Sequence, residues 1–261
     1  PTPTDRLQAL PTFMQRQILA FFGYQDYTLT GRTCQYLHAR WTEALQRHRM
    51  AGTLFVSTDN GITLKEAVNR VHGDERLSTI VVGTGKHQID GSYLEISSAL
   101  HMVGNPGVAK EEIVVVGGIW FKEGIQGKCH LQHLTLRQAK GSGVVGSSSF
   151  TMEDVLVEHC GRHGVWAYGI GVVGRCTNME VRQCGESGVV ASYGGSITLI
   201  GPKTTVHHNC TKGDSGSYGL EVYDSSSSTR ASTIQLVSPL TKEQVSINNG
   251  GGGNWGAEFG G

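Results

Sequence analysis

The amino-acid sequence predicts a mainly β protein: a right-handed parallel β-helix, a single-stranded solenoid of roughly eight rungs, preceded by a small N-terminal α-helical module. The main observation is a repeat. Similar segments recur 21 and 24 residues apart, beginning at Leu134, Val155 and Met179. Within each segment, apolar and polar residues alternate with the period of two that is typical of strands. Periods in the twenties indicate solenoids, whose short units bury their apolar faces by stacking on one another.

Leucine-rich repeats fit these segments poorly. They would need a leucine-dense unit with a recurring asparagine, whereas these units are rich in Val, Gly and Thr. Each unit also contains a glycine after its first strand, at Gly143, Gly164 and Gly188. We expect these glycines to stack at one corner of the coil, where the turn needs either a positive φ angle or a close approach between backbones.

The composition indicates many turns and no charged surface of one sign. The 261 residues include 37 glycines, and 22 basic residues balance 22 acidic ones. A chain without net charge lacks the field that drives nonspecific binding to nucleic acid or to anionic membranes, so we expect neither partner. No apolar run approaches the roughly 18 residues of a membrane span. We expect a cytoplasmic or nuclear protein, or an organellar one if a targeting segment was removed before Pro1.

Six cysteines are too few for a disulfide scaffold in a chain of this length. Three of them, Cys160, Cys184 and Cys210, recur with the period of the repeat. We expect these three to occupy one inward corner in successive rungs as free, buried thiols. The residues that precede this ladder should form a column of polar side chains at the same corner, namely Gln138, His159, Gln183 and Asn209.

Residues 1–50 differ in composition from the β-helix, which takes up residues 51–261. Apolar residues at helical spacing predict about three short helices in this first segment. The segment resembles an F-box, and the positions that carry the resemblance are Leu10, Pro11, Ile18, Leu19, Phe22 and Tyr27. The resemblance implies that these residues bind the small adaptor of cullin-based ubiquitin ligases. The alternative is a helical cap that shields the N-terminal end of the coil.

The β-helix is predicted to begin with a strand over Thr53–Val56, an amphipathic helix over Thr63–Val71 and a strand over Thr79–Val82. This order of a strand, a capping helix and glycine-punctuated strands resembles the start of pectin-lyase-like right-handed β-helices. The last predicted rung is Val245–Asn249, and the glycine-rich segment 250–256 is expected to leave the coil.

Enzymes of the pectin-lyase-like superfamily cleave or epimerise acidic polysaccharides, and the resemblance implies carboxylates in adjacent rungs. The sequence shows no clear pair of this kind, because the aspartates of the coil fall at different positions of the repeat. Glu158 shares a column with Arg137 and Arg182, and we interpret this column as a solvated surface ladder of alternating charge.

A carbohydrate-active site is nevertheless the alternative at the middle of the coil. Trp166 and Tyr168 lie on one strand and could stack against a sugar. The catalytic candidates beside them are His163, Arg162, His159 and Asp154. We expect neither a metal nor a cofactor, because the histidines of this region lie about two rungs, or ~10 Å, apart.

The absence of a clear carboxylate pair favours a non-catalytic protein-binding or scaffold protein. In the form implied by the F-box resemblance, it would be a substrate receptor of a cullin-based ubiquitin ligase, with the β-helix as its recognition surface. The alternatives are a structural subunit of a larger assembly, and a polysaccharide lyase, hydrolase or epimerase that acts along the groove of the coil.

Overall fold

The computed structural model describes residues 52–59, 61–224 and 230–258. These residues form a mainly β structure, a parallel β-helix in which the chain winds repeatedly through three faces. The predicted fold class is therefore confirmed. The helical module predicted over residues 1–50 lies outside the described residues.

The first face is a parallel sheet of eight strands within the described residues, in agreement with the roughly eight rungs predicted. Its strands, in spatial order, are β1 (Thr53–Val56), β2 (Thr79–Val82), β4 (Leu100–Gly104), β6 (Cys129–Gln132), β9 (Phe150–Glu153), β12 (Val173–Thr177), β15 (Ser196–Ile200) and β18 (Thr233–Leu236).

The other two faces belong to one sheet of twelve strands in the described part of the chain. Two long strands, β3 (Gly85–Ile96) and β5 (Ile113–Phe121), contribute to both faces. The second face continues with β7 (Thr135–Arg137), β10 (Leu156–Glu158), β13 (Glu180–Arg182), β16 (Thr205–His207) and β19 (Ser246–Ile247). The third face continues with β8 (Val144–Gly146), β11 (Val165–Tyr168), β14 (Val189–Ser192), β17 (Tyr218–Tyr223) and β20 (Gly253–Glu258).

The core is a set of inward columns that the parallel register creates. Because side chains alternate between the two sides of a strand, each inward residue stacks on its equivalent in the next turn. On the first face one such column is fully buried and runs through Ile80, Met102, Leu131, Met152, Cys176 and Leu199. Burial of these columns, at roughly 25 cal/mol per Å² of apolar surface, is the main stabilising contribution in the coil.

The helix α1 (Leu64–Gly73) packs its apolar side into the start of this core. Thr63 is its N-cap, and its hydroxyl accepts a hydrogen bond from the backbone N–H of Glu66 at 3.1 Å. The Glu66 carboxylate accepts in return from the backbone N–H of Thr63 at 2.9 Å, which completes the predicted capping box. A 3₁₀ helix at Lys110–Glu112 and the short helix α2 (Lys242–Val245) complete the helical elements of the described residues.

The three glycines of the repeat lie at the corner between the second and third faces, where backbones approach closely. A Cβ on Gly164 would meet Cγ1 of Val181 and lie 2.6 Å from the carbonyl oxygen of Gly188. Close approach is therefore the reason for these glycines, and not a positive φ. Polar residues adopt the left-handed backbone of this corner, with φ between 53° and 56°, at Gln138, His159 and Gln183.

The predicted cysteine ladder is one member shorter than expected. Cys160 and Cys184 stack in the corner, but the next member is Asn209 and not Cys210. His208 has the left-handed φ of the corner, 55°, so Asn209 takes the place that Cys184 has one rung earlier. The Asn209 side-chain oxygen accepts from the backbone N–H of Cys184 at 3.1 Å. All three cysteines are nevertheless buried and free, as predicted.

The C-terminal end of the coil also differs from the prediction. The expected rung over Val245–Asn249 contains only the end of α2 and the two-residue strand β19. The segment 250–256, expected to leave the coil, contributes most of β20, which pairs with β17 in parallel. Lys242 places its ammonium 4.5 Å from the ring centroid of Trp255 on this final strand.

Replacing Gly164 with alanine is expected to lower the free energy of unfolding by about 1–3 kcal/mol, because the new methyl group would overpack the corner. Urea unfolding followed by circular dichroism measures this. Gly73→Ala is the matched control, since a Cβ there would meet nothing within 4 Å, and its stability should be unchanged or raised by less than about 1 kcal/mol. Equal midpoints for the two variants would contradict the corner packing.

Candidate functional site

The outer side of the third face carries a row of aromatic side chains, Trp166, Tyr168, Tyr193 and Tyr223, which we name the aromatic strip. Ring centroids of successive members are 5.4, 5.0 and 5.6 Å apart. The register explains the row, because Tyr168 on β11 aligns with Ser192 on β14 and with Tyr223 on β17. Tyr193 follows Ser192 directly, so the strip crosses three consecutive rungs.

The side chains around Trp166 fix the orientation of its ring. The indole Nε1 donates to the Ser192 hydroxyl at 2.7 Å, and the His163 ring packs edge to face at a centroid distance of 5.6 Å. Tyr168 is 41% exposed, and the rest of the strip is partly exposed. The strip therefore offers solvent a row of held aromatic rings, which can stack against apolar faces of a ligand.

A charged cluster of Arg162, His163, Glu186 and Lys212 lies at the corner that leads into the third face. All three basic side chains converge on the Glu186 carboxylate. Arg162 Nε lies 3.1 Å and His163 Nε2 lies 3.4 Å from Oε2, and Lys212 Nζ lies 3.2 Å from Oε1. The rungs on either side thus supply the cations that hold one carboxylate between them.

Burial and charge set the ionisation of this cluster. Burial lowers the pKa of His163 to about 4, against the opposing effect of the Glu186 charge, so the imidazole is neutral near pH 7. Burial by itself would raise the pKa of Glu186, but hydrogen bonds from Arg162 and Lys212 outweigh it and lower that pKa. At neutral pH the cluster therefore contains an ionised carboxylate beside a neutral histidine.

The two ring nitrogens of His163 have different surroundings. Nδ1 is buried without a hydrogen-bond partner, whereas Nε2 faces Glu186. We assign the proton to Nε2, because this tautomer gives the carboxylate a donor and leaves only an acceptor unpaired. The buried Nδ1 lone pair cannot reach a proton on a bound ligand, so His163 positions Glu186 and Trp166 in this arrangement.

A second carboxylate, Glu221, lies one rung further along the same face. Ser187, the residue after Glu186, donates its hydroxyl to Oε2 of Glu221 in a short hydrogen bond. Glu221 is 8% exposed and aligns with Val190, which in turn aligns with Trp166. Two carboxylates from consecutive rungs therefore flank Ser187 beside the aromatic strip.

Sequence analysis missed this pair because the repeat lengthens at that point. Val190 follows its partner Trp166 by 24 residues, but Glu221 follows Val190 by 31. The additional residues form turns over 211–217. The glycine that precedes each third-face strand was the available signal, since Gly219-Leu-Glu aligns with Gly188-Val-Val.

Four sequence-predicted candidates, His163, Arg162, Trp166 and Tyr168, come together at this site, and two others do not. His159 is exposed at the left-handed corner, away from the strip. Asp154 lies at a different corner, between the first and second faces.

Asp154 belongs to a structural cluster. Its carboxylate lies 2.6 Å from Nδ1 of His133 and 2.8 Å from Nζ of Lys110. Burial alone would raise its pKa, but these hydrogen bonds lower it to about 2. The other nitrogen of His133 is bonded to the Val108 carbonyl at 2.8 Å. With both nitrogens in use, this cluster holds the 3₁₀ segment onto the coil and leaves no group for catalysis.

The charged column through Glu158 is present but is not solvated as predicted. Arg137 and Arg182 lie 2.5 and 2.7 Å from the two oxygens of Glu158. Glu158 itself is only 2% exposed, because these side chains cover it. The column is therefore a buried ion triad on the outside of the second face, with cations on both sides of one anion.

Two searches of the described residues found nothing. No group of three or more His, Cys, Asp or Glu side chains in the described ranges is placed to hold a metal ion. No helix in the same part of the chain is long and apolar enough to cross a membrane.

Comparison with known proteins adds a likeness of fold. No family model matches the chain, and no curated protein matches it in sequence. A solved structure that matches is the catalytic domain of a GH87 alpha-1,3-glucanase in complex with tetrasaccharides, at 13% identity and a TM-score of 0.48. The match covers 79% of this chain and 39% of that chain, so this chain spans about two fifths of the glucanase domain. The glucanase's substrate and mechanism do not carry over to this chain at such identity.

The main functional expectation, a non-catalytic binding or scaffold protein of the F-box receptor type, is wrong. The matched β-helix is a catalytic domain, and the F-box resemblance receives no support from any family model. The expected adaptor-binding residues, from Leu10 to Tyr27, lie outside the described residues. The expectation rested on the absence of paired carboxylates, which Glu186 and Glu221 overturn.

The low pKa of His163 predicts a loss of stability in acid. The unfolded chain takes up this proton near pH 6.5, whereas the native imidazole does so only near 4, so the free energy of unfolding falls as the pH drops through that interval. His163→Gln should therefore show a smaller drop in urea midpoint between pH 7 and 4. His159→Gln, at an exposed corner, should keep the wild-type drop, and equal drops in both variants would contradict the assignment.

Proposed function

We propose that the protein is a glycan-cleaving enzyme that binds a polysaccharide along the third face and hydrolyses a glycosidic bond beside Glu186 and Glu221. The observation that carries the proposal is the aromatic strip next to two carboxylates from consecutive rungs. An aromatic row alone would support binding, and paired carboxylates alone would support a structural role. Their proximity on one face supports binding and chemistry on the same ligand.

The aromatic strip would bind the sugar chain. Sugar rings have apolar faces of C–H groups, which stack on aromatic side chains, and hydroxyl edges, which hydrogen-bond to polar neighbours. Trp166 and Tyr168 provide the stacking surface nearest the carboxylates, and Tyr193 and Tyr223 continue it. The rigid setting of Trp166 reduces the entropy that binding would otherwise cost.

The two carboxylates have the different surroundings that acid–base cleavage requires. Glu186 is held as a carboxylate by Arg162 and Lys212, which suits it to activate water or to attack the anomeric carbon. Glu221 is more buried and is bonded to the Ser187 hydroxyl, which suits it to donate a proton to the departing glycosidic oxygen. As that C–O bond breaks, the proton from Glu221 satisfies the leaving alcohol.

Hydrolysis fits these contacts better than elimination or epimerisation. Both of those reactions abstract a proton next to a uronate carboxylate and need a cation for that group as well as an accessible base. Arg162 and Lys212 already pair with Glu186, and the free lone pair of His163 is buried. The site is therefore suited to an uncharged glycan.

Wild-type protein is expected to release reducing ends from at least one polymer in a panel of glucans, mannans and galactans, without forming unsaturated sugars. Glu186→Gln and Glu221→Gln should each lower kcat by roughly 10²–10⁴-fold, because each removes one acid–base group while keeping its shape. Glu112→Gln, on the exposed 3₁₀ helix, is the matched control and should keep wild-type activity. Unsaturated products from uronate polymers would overturn the hydrolase assignment.

Trp166→Ala should weaken glycan binding more than it lowers kcat, because the ring stacks on sugar and takes no part in proton transfer. An exposed aromatic contact of this kind is worth about 0.5–1.5 kcal/mol, so KM should rise roughly threefold to tenfold. Trp255→Ala, on the final strand, is the control. A lower kcat at unchanged KM would mean that Trp166 does not bind the sugar.

A further inference from the structure

A separate cleft of about 700 Å³ lies at the N-terminal end of the third face. One wall is the outer side of α1, with Lys65, Asn69 and His72. The opposite wall is the middle of β3, and the floor includes Trp120 and Lys122. None of these residues takes part in the charged cluster or the aromatic strip.

An irregularity of β3 builds the second wall. Its pairing with β5 shifts between Gln88 and Tyr93, so residues 89–92 bulge out of the sheet. Ile89 anchors the bulge by packing on Gly117, where an added Cβ would come within 2.8 Å of the Ile89 Cβ. Asp90 and the residues after it project outward as a result and are exposed. Such bulges redirect side chains and are common beside binding sites.

The floor of the cleft repeats the chemistry of the aromatic strip. The rings of Trp120 and Tyr93 meet edge to face at 6.2 Å. Trp120 Nε1 donates to the Ser147 hydroxyl at 3.1 Å, just as Trp166 donates to a serine of the following rung. The Tyr93 hydroxyl accepts from the backbone N–H of Ser142 at 2.9 Å, so both rings are fixed.

The charges of the cleft cancel. Lys122 lies 3.9 Å from the centroid of the Trp120 ring and 3.5 Å from a Glu95 oxygen, so its charge is already balanced. Lys65 and Asp90 add one charge of each sign. A balanced site with amide, carboxylate and aromatic groups suits hydroxyl-rich, uncharged sugar units better than an anion.

The cleft and the proposed active site lie on one line. Trp120 aligns with Val145 on β8, which aligns with Trp166 on β11. The two indoles therefore stand in the same outward column, two rungs or about 10 Å apart. A chain of sugars lying along the third face would reach both.

From this alignment we infer that the cleft is a distal subsite, which binds uncharged sugar units of the same glycan chain that the proposed active site cleaves. The inference rests on the proposed function and adds a consequence for chain length. Long oligosaccharides would occupy the strip and the cleft together, whereas short ones would occupy the strip alone. Long chains should therefore bind more tightly.

The experiment is calorimetric titration of Glu186→Gln protein, which should not consume its ligand, with short and long oligomers of glucose, mannose and galactose. On this background Trp120→Ala should weaken binding of the long oligomer roughly threefold to tenfold and leave the short one unchanged. Asp90→Ala, in the exposed bulge, should reduce the same length advantage without any risk to the core. Trp166→Ala should weaken binding of both lengths.

Three outcomes overturn a claim and can be told apart. Wild-type length dependence in both Trp120→Ala and Asp90→Ala would overturn the distal subsite while leaving the proposed function intact. Equal affinity of the parent protein for short and long oligomers would do the same. If no oligomer or polymer of the panel binds, the proposed function fails and the subsite with it. Thermal unfolding of each variant separates lost binding from lost folding.

Discussion

In-register parallel pairing between successive turns is the constraint on which the rest of the structure depends. Each residue is aligned with its equivalent in the neighbouring turn, as Val157 is with Leu136 and Val181. Inward columns then form a continuous apolar core, and outward columns place like side chains about 4.8 Å apart. A single displaced register would turn core residues outward, so the pattern is strongly specified.

The same alignment assembles the candidate site without a dedicated loop framework. Trp166, Val190 and Glu221 share one outward column, and the corner before it brings Glu186 between cations of the rungs on either side. The insertion over 211–217 lets the chain return in register after a long excursion. Function in this coil therefore arises where the stacking continues and the sequence within it changes.

The sequence was sufficient for the fold, because the strand alternation and glycine corners repeat within 62 residues, from Cys129 to Val190. It also brought His163, Arg162, Trp166 and Tyr168 into one region, since all four lie in one turn. It could not locate Glu221, because the partner of a residue in a solenoid is found only when the length of each turn is known. The pair with Cys210 failed for the same reason, since one extra residue displaced it from the ladder.

A crystal structure of the Glu186→Gln protein with a bound oligosaccharide tests the central claim most directly, because it locates the ligand on one of three faces. The account predicts sugar rings stacked on Trp166 and Tyr168, with a glycosidic oxygen within hydrogen-bonding distance of Glu221. A ligand bound on the first or second face, or on the third face with its glycosidic oxygens remote from both glutamate positions, would contradict it.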